Sequence, residues 1–256
     1  MNENAVLVPT YLRSSRIERF LHNIMINSAM SDVYLGVEKS DNEIKTYKKI
    51  VNSINQTSKI EIIECNSTSM LESLNYMSLK LYKKYRFLTF MGDDHIVKTF
   101  RWDEILSEPI RKKFGISYPN DLIQNDKLPT AIMINSNMVG ALGFFGHPIF
   151  KHLYVDNSWL EIGRGLKNIN YFERVIIEHE HFSVDKAMLD QTYLKYNKDE
   201  DFRLGLDQFN QYMEKYYRKD ILRLKLYEIL YQTSYFLKRN FGAWYTIKKI
   251  KGSMND

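Results

Sequence analysis

A single cysteine, Cys65, stands in a chain of 256 residues. No intrachain disulfide can form, which suits a reducing compartment. Proline (5) and glycine (11) are scarce, and chains that stay unfolded are rich in such residues. No run approaches the roughly 20 apolar residues of a membrane span. The opening MNENAVLVPTYLRSS has neither the basic region nor the long apolar region of a secretory leader, so a cytoplasmic protein is expected. Several catalytic motifs are missing too. There is no GxxxxGK[ST] phosphate loop, no GxGxxG after the first apolar run and no GxSxG elbow. Cys65 lacks the local signature of a thiol nucleophile.

What is present is an ordinary globular composition, 44% hydrophobic and 26% charged. The length fits one large domain, or one domain with an added helical end. The formal net charge is +5, but it is uneven. From Lys215 to Lys251 ten basic residues are opposed only by Asp220 and Glu228, a local surplus of eight. Tyr212, Tyr216, Tyr217, Tyr231, Tyr235 and Trp244 are interleaved with them. Such a stretch suits an anionic partner, either nucleic acid through phosphate contacts and stacking or an anionic membrane surface. A solvated helix face is the plain alternative.

The first ninety residues alternate. NAVLVPT, DVYLGVE, KIEIIECN and RFLTFM read as strands. Between them lie three helical patterns, SRIERFLHNIMINS, SDNEIKTYKKIVNSIN and SMLESLNYMSLKLYKKY; the last has Ser69 as N-cap with Glu72 three residues on. Strand–helix alternation predicts right-handed crossovers and a parallel sheet, with ligands at the carboxyl ends of the strands. Further on, TFRWDEIL reads as a short helix, ISYPNDLIQNDKLP as a loop and TAIMINS as containing a strand. GALGFFG reads as a flexible rim, LYVDNSWLEIGRGLKNI as a helix and RVIIEHEHF as a strand. From 202 to 235 apolar residues recur in steps of three and four, predicting one or two amphipathic helices.

Two clusters carry candidate chemistry. At the end of the fourth strand stands GDDH: Gly92, Asp93, Asp94 and His95. Carboxylates with an imidazole suit Mn²⁺ or Mg²⁺. Adjacent acids repel unless a cation lies near them. Continued alternation points Asp93 and His95 one way and Asp94 the other. In VIIEHEHF, His179 and His181 share a strand face, and either can look into a cleft. The plain readings are an acidic turn without metal and a hydrogen-bonded histidine pair.

Together, AVLVPTYLR, FLTFMGDDH, FRWDEIL, HLYVDNSWLEIG and VIIEHEHF resemble a GT-A nucleotide-sugar glycosyltransferase, family-2-like and close to bacteriophage-encoded versions. The resemblance spans residues 4–195. It implies an α/β fold with a mostly parallel, Rossmann-like central sheet flanked by helices and a C-terminal helical extension. Residues 1–195 would form the glycosyltransferase domain, with 1–98 the nucleotide-binding half and 99–195 the acceptor half; 196–256 would be the basic, aromatic extension. It implies that Pro9, Thr10 and Arg13 hold the nucleotide, that Glu38 or Asp41 faces base or ribose, and that Asp93, Asp94 and His95 replace an Asp-x-Asp motif, with Asp93 on the donor side. The histidine in third place is a departure, and leaves either Asp94 or His95 as inner ligand. His179 or His181 would complete the metal site. Asp156 would be the base for the acceptor, or would hold donor hydroxyls. The implied donor is a UDP-sugar, and the acceptor a glycan or a modified DNA base. Two other readings stand beside it. A sugar nucleotidyltransferase shares the sheet layout, but PTYLRSSRIER lacks the glycines of its loop. A non-catalytic nucleic-acid or membrane-binding module leaves the histidine and aspartate clusters without a purpose.

Overall fold

A computed structural model describes residues 2–54, 58–180 and 199–233. The first ninety residues lay down β1 (Asn4–Thr10), α1 (Ser14–Asn27), β2 (Ser31–Glu38), α2 (Ile44–Ser53), β3 (Ile60–Cys65), α3 (Met70–Leu81) and β4 (Phe87–Phe90), the predicted alternation. Ser69 caps α3, its Oγ accepting from the Glu72 N–H at 3.3 Å, while the Glu72 carboxylate reaches back to the Thr68 N–H at 2.7 Å. The second half follows with β5 (His95–Val97), α4 (Trp102–Ser107) and β6 (Ile116–Asn120). Then come β7 (Ile132–Asn135), α5 (Asn137–Leu142), α6 (Val155–Leu166), β8 (Ile169–His179) and α7 (Asp199–Lys215). A last helix, α8, covers 217–233.

The eight strands lie in the order β3-β2-β1-β4-β7-β6-β8-β5. β3, β2, β1 and β4 are mutually parallel, as are β6 and β8; β7 and β5 run antiparallel to their neighbours. Because successive strand residues face opposite sides, β1 feeds two cores. Val6 and Val8 pack with Ile17, Phe20 and Leu21 of α1 and with Trp102 of α4. Ala5 and Leu7 pack with Leu74 and Met77 of α3 and with Trp159 of α6. Full burial of such side chains stabilises by about 1.5–3 kcal/mol each. Burial on both faces is why the parallel strands read as continuous apolar runs.

Two segments differ from the sequence reading. ISYPNDLIQNDKLP begins with β6 instead of being all loop. Its Pro119 masks the strand because proline cannot donate to a ladder; it stands beside an irregularity in the pairing with β8, between Pro119 and Asn120. GALGFFG is no rim: Gly140 lies inside α5, Phe145 is buried, and Gly146 packs between Leu71 and Val155.

Candidate active site

The chain after β1 must turn sharply to enter α1, and α2 with the loop that leads into it supplies the groups that hold it. The Leu12 N–H donates to the Asp41 carboxylate at 2.8 Å, the Arg13 N–H to the Tyr47 hydroxyl at 2.9 Å and the Ser14 N–H to Glu43 at 2.8 Å. Asp41 is therefore buried scaffolding for the Arg13 loop and does not line the cavity. Arg13 is aimed back at the end of β4. Its guanidinium donates to Asp93 Oδ1 at 3.0 Å and lies 4.0 Å from Asp94 Oδ2; Thr10 Oγ1 donates to Asp93 Oδ2 at 2.7 Å.

GDDH does not continue the strand. Asp93 and Asp94 form the turn between β4 and β5, so the expected alternation fails. Asp93 turns toward Thr10 and Arg13, while Asp94 and His95 face the same way. Gly92 allows this fold-back. A Cβ there would lie 2.4 Å from Asp94 Oδ1 and 3.1 Å from His95 Nδ1. β5 is then braced from both sides. Asn23 of α1 exchanges two hydrogen bonds with Val97, at 2.6 and 2.9 Å, and β8 pairs His95 with His179. The end of β8 is fixed by the His179 N–H donating to the Asp121 carbonyl at 3.1 Å and the Glu180 N–H to the Asp94 carbonyl at 2.8 Å.

Asp94, His95 and His179 each offer one ligand atom, and these atoms lie within 4.8 Å of one another. Asp94 Oδ1 is 3.3 Å from His95 Nδ1, and Asp94 Oδ2 is 3.6 Å from His179 Nε2. The imidazoles stack with centroids 4.5 Å apart. Although burial opposes it, hydrogen bonding from His179 and then His95 holds Asp94 well below the usual carboxylate range. Burial, then the neighbouring His179, pushes His95 down, which keeps its ring neutral. His179 is raised against the pull of burial by Asp94. Burial pushes Asp93 up, a push that Arg13 opposes.

The Gly92 N–H donates to His95 Nδ1 at 3.1 Å, and the buried His95 Nε2 has no hydrogen-bond partner among the described residues. The other neutral tautomer gives up the Gly92 bond, turns an Nδ1 proton toward Asp94 and frees the Nε2 lone pair as a ligand. A carboxylate and two imidazoles whose ligand atoms lie within 4.8 Å of one another fit a divalent cation.

These groups line one cavity of about 1150 Å³ at the carboxyl ends of β1, β2 and β4. Pro9, Thr10, Arg13 and Glu38 lie on its wall with the Asp93–His95 turn and His179. Asp156, in the first turn of α6, shares it, and burial pushes its carboxyl up to about 6. His181 lies outside the described residues. The sequence reading missed Lys151 and His152 in the loop ahead of α6, and Phe202 and Gln208 of α7, all of which line the cavity. A basic pair five and four residues before Asp156 is the only local signal for the first two. For α7, helical periodicity says nothing about what lies beyond the helix. Cys65 is buried and its thiol raised to about 11, in line with the absence of a thiol nucleophile.

No protein-family model matches the chain, and no curated protein matches it in sequence. Solved structures do match in three dimensions. TarS 1–349 of S. aureus superposes with a TM-score of 0.52 at 13% identity, covering 91% of this chain and 92% of that one. A mannosyltransferase of Pyrobaculum calidifontis in complex with GDP-Man and Mn²⁺ gives 0.53 at 12%, covering 96% and 84%. Glucosyl-3-phosphoglycerate synthase of Mycobacterium tuberculosis, in complex with Mn²⁺, UDP and phosphoglyceric acid, gives 0.54 at 11%, covering 81% and 78%. With its parallel β3-β2-β1-β4 half-sheet, its antiparallel β7 and its flanking helices, this chain has the α/β architecture of those transferases, the GT-A fold.

Proposed function

We propose that the protein is a metal-dependent glycosyltransferase that moves a sugar from a nucleotide-sugar donor, a UDP-sugar before others, to an acceptor hydroxyl. The observation that carries this is the meeting of Arg13, the Asp94–His95–His179 cluster and Asp156 in one cavity at the carboxyl ends of the parallel strands, where ligands of such sheets bind. Fold neighbours solved with UDP-GlcNAc, and with GDP-Man and Mn²⁺, support it. Residues 1–98 would hold the nucleotide and 99–195 the acceptor.

Breaking a bond between sugar and diphosphate leaves negative charge on the β-phosphate. Mn²⁺ or Mg²⁺ held by Asp94, His95 and His179 would supply Lewis-acid neutralisation of that charge. Arg13, steered by Asp93, adds a fixed positive charge beside it. Glu38, at the end of β2 and on the cavity wall, would face the base or ribose. An acceptor hydroxyl is a weak nucleophile at neutral pH. Asp156 takes its proton, and a carboxyl poised at about 6 is basic enough to do so yet ionised at pH 7. The acceptor is a hydroxyl on a glycan or a modified DNA base, the latter following from the resemblance to phage-encoded enzymes. The place of action would be the cytoplasm, that of the host for a phage-encoded enzyme.

Calorimetric titration with UDP and UDP-sugars, with and without Mn²⁺, tests the reading. Binding that needs the cation and is lost in Asp94→Ala supports it. Binding by no nucleotide at all would overturn it in favour of a non-catalytic module.

A further inference from the structure

The inward face of α8 is committed to the fold. Ile221 and Leu224 are buried, and Tyr227 and Tyr231 pack on the Phe114 ring. Both acids of the helix point inward as well. Asp220 is buried, and the Glu228 carboxylate accepts from the Phe114 N–H at 2.6 Å. The outward face is different. Leu222, Leu226, Ile229 and Leu230 recur at i, i+4, i+7 and i+8, and are 59%, 54%, 61% and 67% exposed. At about 100° per residue, Arg218 and Lys225 fall along one border of this stripe and Arg223, which also donates to the Leu142 carbonyl at 3.4 Å, along the other, while Lys219 stands within it one turn before Leu222; all four are exposed. An aliphatic stripe edged by Arg218, Lys225 and Arg223 and headed by Lys219, with no acid of α8 beside it, faces away from the other described residues.

We propose that this face docks on an anionic lipid surface. Aliphatic side chains enter the boundary between headgroups and acyl chains, while flanking Lys and Arg lay their stems along it and reach the phosphates. Anionic headgroups answer the sign of the border on both sides. A second copy answers it poorly, because a two-fold contact through this stripe brings like charges together. Nucleic acid would meet the cations but leave the leucines uncovered, and the stripe gives bases nothing aromatic to stack on. The same composition continues in the sequence after 233, with Lys238, Arg239, Lys248, Lys249 and Lys251 among aromatic residues. The inference is independent of the glycosyl-transfer reading, since α8 does not line the cavity.

The test is co-sedimentation of the full chain with vesicles of phosphatidylcholine alone or mixed with phosphatidylglycerol. The expected result is binding to the mixed vesicles that weakens as salt rises. The double variant Leu226→Glu with Ile229→Glu should bind at least about tenfold more weakly, with unchanged circular dichroism and unchanged nucleotide binding, because both side chains touch solvent. Equal vesicle binding by the wild type and the double variant overturns the proposal, as does the absence of binding to either vesicle. Dimerisation lost in the double variant, or salt-sensitive binding to duplex DNA without vesicle binding, overturns it too and assigns the face to that partner.

Discussion

Asp156 and Asp94 sit in one cavity in opposite electrostatic situations, and that difference makes their roles separable. Burial raises Asp156 to about 6. Its folded pKa thus exceeds that of an unfolded carboxylate, so the stability attached to its protonation is present below about pH 4 and lost as pH rises through 6. At neutral pH the ionised carboxylate is held at a cost on the order of 3 kcal/mol. Asp156→Asn should therefore lower turnover by about 10²–10⁴-fold while its melting temperature holds or rises, measurable by donor turnover beside calorimetry. For the wild type, kcat/KM should fall on acidification with a limb at or below pH 6, since a bound cation nearby would draw the carboxyl lower. Unchanged turnover in Asp156→Asn would remove the base assignment. Asp94→Ala should abolish transfer and cation binding without unfolding the protein; full activity would refute the metal cluster.

Elements matter here because they hold short, otherwise unstable pieces in place. β5 has three residues and survives because Asn23 satisfies one edge and β8 the other. Asn23→Ala leaves the Val97 N–H unpaired, while its carbonyl keeps the Asn27 amide at 3.3 Å; the loss costs about 1–3 kcal/mol and should weaken Mn²⁺ affinity by loosening His95, read by titration calorimetry. The turn between β4 and β5 has no room for a methyl group at 92. Gly92→Ala must push the Asp94 carboxylate aside, so a folded protein with sharply reduced cation binding is the expected outcome; cation binding equal to that of the wild type would show that the turn is not held so closely. Asp121 holds the far side. Its buried carboxylate accepts from the Ile123, Gln124 and Asn125 N–H groups and from Thr130 Oγ1, the last at 2.8 Å, while its carbonyl fixes His179.

At the scale of the whole molecule, the C-terminal helices belong to the fold on one side and face solvent on the other. Tyr212 and Leu224 are in the same core cluster as Trp159 and Leu74. Leu224→Ala should destabilise by about 2–4 kcal/mol, whereas Leu226→Ala, at a position 54% exposed, should stay within about 0.5 kcal/mol in denaturant unfolding. Equal effects would mean that α8 is not seated as described. Among the described residues no helix is long and apolar enough to cross a membrane.

The alternation of four strands and three helices, the Ser69 cap and the place of GDDH at a strand end were legible in the chain itself, because burial on one or both faces of an element leaves a period of two or 3.6, or an unbroken apolar run, that any neighbour would demand. The assembly of the site was not. Whether Asp94 faces His95 or away from it depends on a turn that Gly92 permits and that the bracing of β5 enforces, and the bracing comes from Asn23, seventy residues earlier. Asp41 carries the composition of a ligand contact but is spent on the Arg13 loop. Pro119 hid a strand that only its pairing with β8 reveals. Local pattern records what each segment must bury; which side chains then share a cavity is fixed by contacts between segments distant in sequence, and those exist only once the sheet has closed.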